Sequence, residues 1–246
     1  MYFGFSYRTE LIRQNMPDKR SGYALEIGVG PGHSLTELSG YFGKIYGFDI
    51  SEENIRLLQN RIKKPNVHLA AVDLCSGFDK KYEDMFDFVY SADTLEHVKN
   101  PDRFFGNIAR LLKKGATALI LFPNESKDKY HGITCFDDME DLLKIVPPGL
   151  SIKRICEVKN TEYFDFILNH LWLKPRRMIN VSGTAQKFDE TAAYALNVKY
   201  PFLAPILQMY PAMLLWAAKL GKMFEYAELK SGVINDKYLL MEMVKK

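Results

Sequence analysis

An α/β fold built on a doubly wound, mostly parallel sheet is predicted by three features of this sequence. First, the apolar run Ala24-Leu25-Glu26-Ile27 enters Gly28-Val29-Gly30-Pro31-Gly32 and then Ser34-Leu35-Thr36-Glu37-Leu38. That is a strand, a glycine turn and a helix, which puts bare backbone beside whatever binds at the carboxyl end of a parallel sheet. Second, three acids, Glu26, Asp49 and Asp73, end or nearly end three apolar runs about 23 residues apart, the period of a repeated βα unit. Third, Ala116 to Phe122 is almost continuously apolar, as a central strand covered on both faces must be.

The bulk properties agree with a globular reading. A chain of 246 residues can build one sizeable α/β domain with an insertion, or two small domains. With 47% hydrophobic and 26% charged residues it is neither disordered nor fibrous. A formal charge of +3 is too small to argue for a nucleic-acid partner, which calls for a concentrated basic patch. Cys75, Cys135 and Cys156 are odd in number and lack metal-type spacing, so neither a disulfide framework nor a metal site is expected, and the cytoplasm is the expected compartment. Met1-Tyr2-Phe3-Gly4-Phe5 has no basic segment leading into an apolar core, so no secretory signal is expected.

Residues 1–20 carry Tyr2, Phe3, Phe5 and Tyr7, then a short helix through Thr9-Glu10-Leu11-Ile12-Arg13 that should end before Pro17. After the glycine loop, Lys44 to Ile50 reads as the second strand, with Asp49 near its end. A carboxylate about 20 residues past such a loop is placed to accept hydrogen bonds from ribose hydroxyls. Capping the next helix is the alternative use of Asp49, but Ser51, ahead of Glu52 and Glu53, already serves as a cap. Residues 51–64 form a charged amphipathic helix stopped by Pro65, and Val67 to Leu74 forms the third strand.

Phe86 to Ser91 is the fourth strand, followed by Ala92-Asp93-Thr94-Leu95-Glu96-His97-Val98. Asn100-Pro101-Asp102 opens a helix over 102–112, with proline in the first turn, where its missing N–H costs nothing. Lys113-Lys114-Gly115 should close that helix ahead of the apolar fifth strand. Asp137 to Val146 is a short helix, Ser151 to Val158 the sixth strand and Lys237 to Val244 the last.

A dinucleotide fingerprint places its third glycine where His33 stands, and here that glycine comes one residue early, at Gly32. With Glu26 ahead of the loop, the pattern instead resembles the first motif of the class I S-adenosylmethionine (SAM) methyltransferases, acidic-x-G-x-G-x-G. Asp93-Thr94-Leu95-Glu96-His97-Val98 is similar to the Leu-Glu-His element that follows the fourth strand in the small-molecule members. The resemblance covers about 1–159 and 236–246. It implies a seven-stranded, mostly parallel sheet whose last strand inserts antiparallel beside the sixth. It implies SAM as cofactor, with S-adenosylhomocysteine as product, held by Glu26, Gly28, Gly30, Gly32, Asp49 with its neighbour Ile50, and Asp73 with its neighbour Leu74. In that family the acid at Asp73 contacts the adenine amino group and Leu74 packs on the ring, while Asp93 to His97 border the methyl end. The N-terminal helix would be a flap over the cofactor, or a helix packed on the domain edge.

Residues 160–235 would then be a helical insertion between strands six and seven, and no motif in them points to a family. It is rich in aromatics (Tyr163, Phe164, Phe166, Trp172, Trp216 among them), holds Lys174-Pro175-Arg176-Arg177, and has no charge from Tyr200 to Ala218. Pro201, Pro205, Pro211 and Gln208 argue against a membrane span, although about 20 apolar residues would suffice for one. A cap over the acceptor side, a homodimer surface, or membrane-surface contact through 174–218 are the readings it allows.

Methyl transfer from an activated donor asks a protein to align nucleophile and methyl group and to exclude water. A hydroxyl or amine acceptor also needs a base, and histidine has the right range. His97 and His131, after strands four and five, are the candidates; their alternatives are a loop-fixing histidine and a solvated one. A magnesium-assisted variant would use Asp93, Asn124 and Glu125, but the flanking sequence does not resemble the catechol-type enzymes. The Asn-Pro-Pro-Tyr element of amino-methylating nucleic-acid enzymes is absent after strand four. The expected function is SAM-dependent methylation of a small molecule or a glycan- or lipid-linked precursor, on oxygen. A methyltransferase-like domain serving as a binding or assembly partner is the alternative, and a nicotinamide dehydrogenase the third.

Overall fold

In the computed structural model the chain begins with α1 (Phe3–Asn15) and continues as β1 (Tyr23–Ile27), α2 (His33–Leu38), β2 (Lys44–Asp49), α3 (Glu52–Arg61) and β3 (Val67–Ala71). It goes on through β4 (Phe86–Ala92), α4 (Pro101–Leu111), β5 (Leu112–Asn124), α5 (Met139–Lys144) and β6 (Leu150–Asn160). Among the described residues the remaining elements are α6 (Glu162–Phe166), β7 (Phe224–Glu228) and β8 (Lys237–Lys245). The residues described are 3–17, 22–125, 133–167, 170–171, 213, 216–218 and 221–246. Two compact units are present, one of Thr9–Val158 with Tyr226–Lys246, the other of Met1–Arg8 with Lys159–Glu225.

The sheet has eight strands in the order β3-β2-β1-β4-β5-β8-β6-β7. β1 pairs in parallel with β2 and β4, β2 with β3, and β4 with β5, whereas β8 runs antiparallel to both β5 and β6. That is the predicted doubly wound arrangement with one strand more: β7 extends the sheet past β6 from within the predicted insertion. Its sequence, Phe-Glu-Tyr-Ala-Glu, buries Phe224 and exposes most of the rest, as a short edge strand does.

Both α3 and α4 start on a side-chain cap. Ser51 caps α3 by accepting from the Asn54 backbone N–H at 3.1 Å, with Glu52 and Glu53 in the first turn, where the helix dipole favours negative charge. Asn100 caps α4 ahead of Pro101, and the helix buries Phe104, Phe105, Ile108 and Leu111, at about 1.5–3 kcal/mol for each such side chain. α4 ends at Leu111, one residue sooner than predicted, because Leu112 already pairs with Phe86 in β5. Gly115, expected to end the helix, sits inside β5 at φ 75°, where the register against β4 shifts between Phe86 and Phe88.

β3 ends at Ala71 rather than reaching Asp73. The Val72 N–H donates to the Asp49 carbonyl at 2.8 Å, and the Asp73 carbonyl then accepts from Ser76 and Gly77, so the chain turns at that point. Around β4 and β5, Phe48, Phe86, Phe104, Phe105 and Phe122 form the centre of the core, each at most 1% exposed.

In the unit that contains Lys159–Glu225, Thr161 caps α6 and Phe164 packs edge-on against Phe224 at 5.6 Å. The Tyr163 hydroxyl donates to the Ala217 carbonyl at 2.6 Å. Residues 172–212, which hold the basic run and most of the uncharged stretch, lie outside the described residues. Among the described residues no helix is long and apolar enough to cross a membrane, and the three cysteines are free thiols.

Candidate active site

Eight of the eleven predicted residues meet at the carboxyl ends of β1, β2 and β4 and in the turn after β3. There a cavity of about 490 Å³ is lined by Gly28, Gly30, Asp49, Ile50, Asp73, Leu74, Asp93 and His97, together with Thr94, Val98 and Phe104. A larger cavity of about 640 Å³ along β3 is lined by Tyr46, His68 and Tyr82 and holds none of the predicted residues, so size alone does not locate the chemistry.

The glycine loop is built by backbone bonds. Gly28 and Val29 donate to the Phe48 carbonyl at 2.8 and 3.2 Å, and Gly32 donates to the Val29 carbonyl at 2.8 Å. Gly28 has φ 76°, and a Cβ there would come within 2.1 Å of Thr94 Oγ1, so this position tolerates no side chain. Gly30, at φ 46°, differs: a Cβ there would meet no atom within 4 Å, which leaves open space directly over the loop backbone. Gly32, in the left-handed region at φ 72°, caps α2 and is off the cavity wall.

Asp49 ties the loop to the start of α3. Its Oδ2 accepts from the Gly30 N–H at 3.0 Å and from Asn54 Nδ2 at 3.1 Å, and its Oδ1 accepts from the Ser51 N–H at 2.9 Å. Asn54 Nδ2 also reaches the Gly30 carbonyl at 2.7 Å. Oδ2 is thus filled by two donors, whereas Oδ1 keeps a second lone pair, which leaves acceptor capacity for a ligand hydroxyl. Ile50 is 72% exposed on the cavity wall, as a side chain that lies against a planar ligand would be.

Asp73 accepts from Ser76 Oγ at 2.5 Å and from the Cys75 N–H at 2.9 Å. The Ser76 hydroxyl holds its carboxyl below the usual range against the opposing effect of burial, with help from the Cys75 and Ser76 backbone N–H groups, so it stays ionised. Leu74 beside it is buried and lines the same wall.

Asp93 follows β4 with φ 51°, an uncommon conformation for a residue with a side chain. Its N–H donates to the Leu121 carbonyl at 3.0 Å, and Tyr238 donates to its Oδ1 at 2.9 Å. His97 is mostly exposed at the cavity wall, its Nε2 3.9 Å from Oε1 of the buried Glu96. His131 lies outside the described residues. His33 is the first residue of α2, and burial together with Arg61 lowers its pKa.

Glu26 is placed differently from its family assignment. It is buried beneath the loop, off the cavity wall, and accepts from Tyr90 at 3.1 Å and from the Leu35 backbone N–H. Burial pushes its carboxyl up to about 8, against the pull of those two donors. Asn124 is likewise withdrawn: Nδ2 donates to the Phe136 and Ile234 carbonyls, and Oδ1 accepts from the Phe136 N–H. Its amide is thus committed to backbone groups, and among the described residues no group of three metal-type side chains is found.

Sequence reading missed Asn54, Ser76 and Tyr238. Local spacing could have found the first two, since Asn54 follows Asp49 by five residues and Ser76 follows Asp73 by three. Tyr238 lies 145 residues from Asp93 and gave no signal.

Residues 25–120 match the model of a methyltransferase domain family. A sarcosine/dimethylglycine N-methyltransferase of Halorhodospira halochloris is 30% identical over 128 residues, 51% of this chain and 45% of that protein. A mitochondrial ubiquinone biosynthesis O-methyltransferase of Dictyostelium discoideum is 25% identical over 137 residues, 51% of this chain and 42% of that protein. The chain thus spans less than half the length of these curated relatives. A solved phosphoethanolamine N-methyltransferase 2 of Haemonchus contortus, in complex with phosphomonomethylethanolamine and S-adenosylhomocysteine, aligns over 98% of this chain and 53% of that chain. Its TM-score is 0.59 at 21% identity, so the likeness is one of fold.

Proposed function

We propose that the chain, whose residues 25–120 match a methyltransferase domain family, is a class I SAM-dependent methyltransferase that binds SAM in the 490 Å³ cavity and methylates a small-molecule acceptor. The observation that carries this reading is that Gly30, Asp49, Asp73 and Asp93 share one cavity wall. Open space above Gly30 suits the close approach of a ligand to backbone. Asp49 suits a ribose hydroxyl, Asp73 the adenine amino group, with Ile50 and Leu74 against the ring. Asp93 sets negative charge where a cationic donor would end. Glu26 supports the loop from below, through Leu35 of α2.

Bound SAM supplies a methyl group on a sulfonium. As the acceptor takes it, the sulfur–methyl bond breaks, the sulfur keeps the electron pair, and S-adenosylhomocysteine is the product. The acceptor's proton must leave to a base. We assign that proton to His97, on the cavity wall and within ionic reach of Glu96, and keep His131 as the second candidate.

The acceptor atom in this reading is oxygen, on a small molecule or a glycan- or lipid-linked precursor. Nitrogen is the second reading, supported by the N-methyltransferases among the similar proteins. For region 160–235, read from the sequence as an acceptor cap, a homodimer surface or a membrane-contact segment, we propose contact with a membrane surface. In its favour, Phe166, Met213 and Trp216 each expose more than half of their surface in the unit that contains them.

Calorimetric titration of S-adenosylhomocysteine into wild type and Asp49→Ala tests the cofactor reading. Wild type should bind, and the variant should lose about 10- to 100-fold in affinity, the effect of one charge-assisted hydrogen bond. No binding to folded wild type, with NAD titrated alongside, overturns it. Binding without turnover across hydroxyl and amine acceptors would favour the binding-partner alternative.

A further inference from the structure

Asp93 is held from two directions by strands far apart in sequence, β5 and β8. Its backbone, in the left-handed region at φ 51°, is fixed by the bond from its N–H to Leu121 of β5. Its side chain is fixed by Tyr238, the second residue of β8, whose hydroxyl donates to Oδ1 at 2.9 Å. β8 is antiparallel to β5, with Tyr238 opposite Pro123, so its first residues reach the sheet edge where the parallel strands end. A tyrosine at that register delivers a neutral donor to Asp93, which lines the cavity. A neutral donor keeps the carboxylate's charge and removes its rotational freedom, which a lysine or arginine at the same place would not do.

We propose that Tyr238 is a positioning residue that aims the Asp93 carboxylate at the ammonium group of the cofactor's amino-acid end. The proposal rests on the cofactor reading above and adds to it a residue and a division of labour within the cavity. Asp49 and Asp73 hold the adenosine portion, while Tyr238, through Asp93, holds the amino-acid portion. The two portions can be separated with real ligands. S-adenosylhomocysteine carries both, whereas 5′-methylthioadenosine carries the same nucleoside and thioether without the ammonium and carboxylate.

The experiment is calorimetric titration of both ligands into full-length wild type, Tyr238→Phe and Asp93→Asn, with thermal unfolding to confirm that each is folded. In Tyr238→Phe the affinity for S-adenosylhomocysteine should fall about tenfold, the effect of losing one hydrogen bond to a charged group, while 5′-methylthioadenosine binds within about twofold of wild type. Asp93→Asn keeps a side chain of the same shape but removes the charge, and should reproduce that split even if Tyr238→Phe does not fold. Equal weakening of both ligands would mean that the bond only supports the cavity wall, and the proposal falls. Unchanged binding of both also overturns it. If folded wild type binds neither ligand, the cofactor reading fails, and the assignment of Tyr238 fails with it.

Discussion

Glu26 is a carboxylic acid that the fold holds in its protonated form near neutral pH. Its native pKa, about 8, lies above the ordinary 4.5 because the site is dry, and Tyr90 and Leu35 only partly compensate. Between those two values an unfolded chain has released the proton while the native chain still holds it. The unfolded state therefore binds fewer protons, and stability falls as pH rises from about 4.5 to about 8 and then levels off. Glu26→Gln keeps an acceptor for Tyr90 and cannot ionise. It should unfold in urea with a midpoint that changes less over that window, and should exceed wild type at pH 8 by on the order of a few kcal/mol. Parallel stability curves for the two proteins would remove this account. The same residue shows where sequence reading stops. An acid ahead of a glycine loop was legible as part of a motif, but whether it points into the cavity or beneath the loop depends on Tyr90, which lies 64 residues away.

Asn124 shows how one element is fastened to the next. As the last residue of β5 it uses its whole amide on the Phe136 and Ile234 backbones, joining the segment ahead of α5 to the segment ahead of β8. Asn124→Ala leaves those buried backbone groups without partners and should cost roughly 3 kcal/mol. For a domain of this size that is a fall in Tm of roughly 6–12 °C, readable by differential scanning calorimetry, and a change within 1–2 °C would deny the residue this role. Elements whose signals are local were the legible ones. β1, β2 and β4 announce themselves as apolar runs, and α4 by its capping asparagine and the spacing of its phenylalanines. β7 was not legible, because five residues with one buried position do not stand out from a loop. Nor was the early end of α4, which is set by pairing of Leu112 with Phe86, a contact between strands rather than a preference of the helix.

At the scale of the molecule the open question is what the region 160–235 touches. Lys174, Arg176 and Arg177 precede a stretch without charge, and Phe166 and Trp216 are 55% and 63% exposed. Full-length protein should co-sediment with vesicles containing anionic lipid at low salt, and neutralising those three basic residues should release about half or more of it. If wild type stays in the supernatant, the acceptor is to be sought among water-soluble compounds. A different consequence follows from the place of β8 in the sheet. β5 and β6 are near in sequence yet do not pair; each waits for β8, whose residues reach β5 from about 120 positions further along. Closing so long a loop is slow, and until it closes the edge of β5, one of the most apolar strands in the chain, stands open to any other strand it meets. The feature that brings Tyr238 to Asp93 thus also sets when the chain, during folding, stops being liable to aggregate.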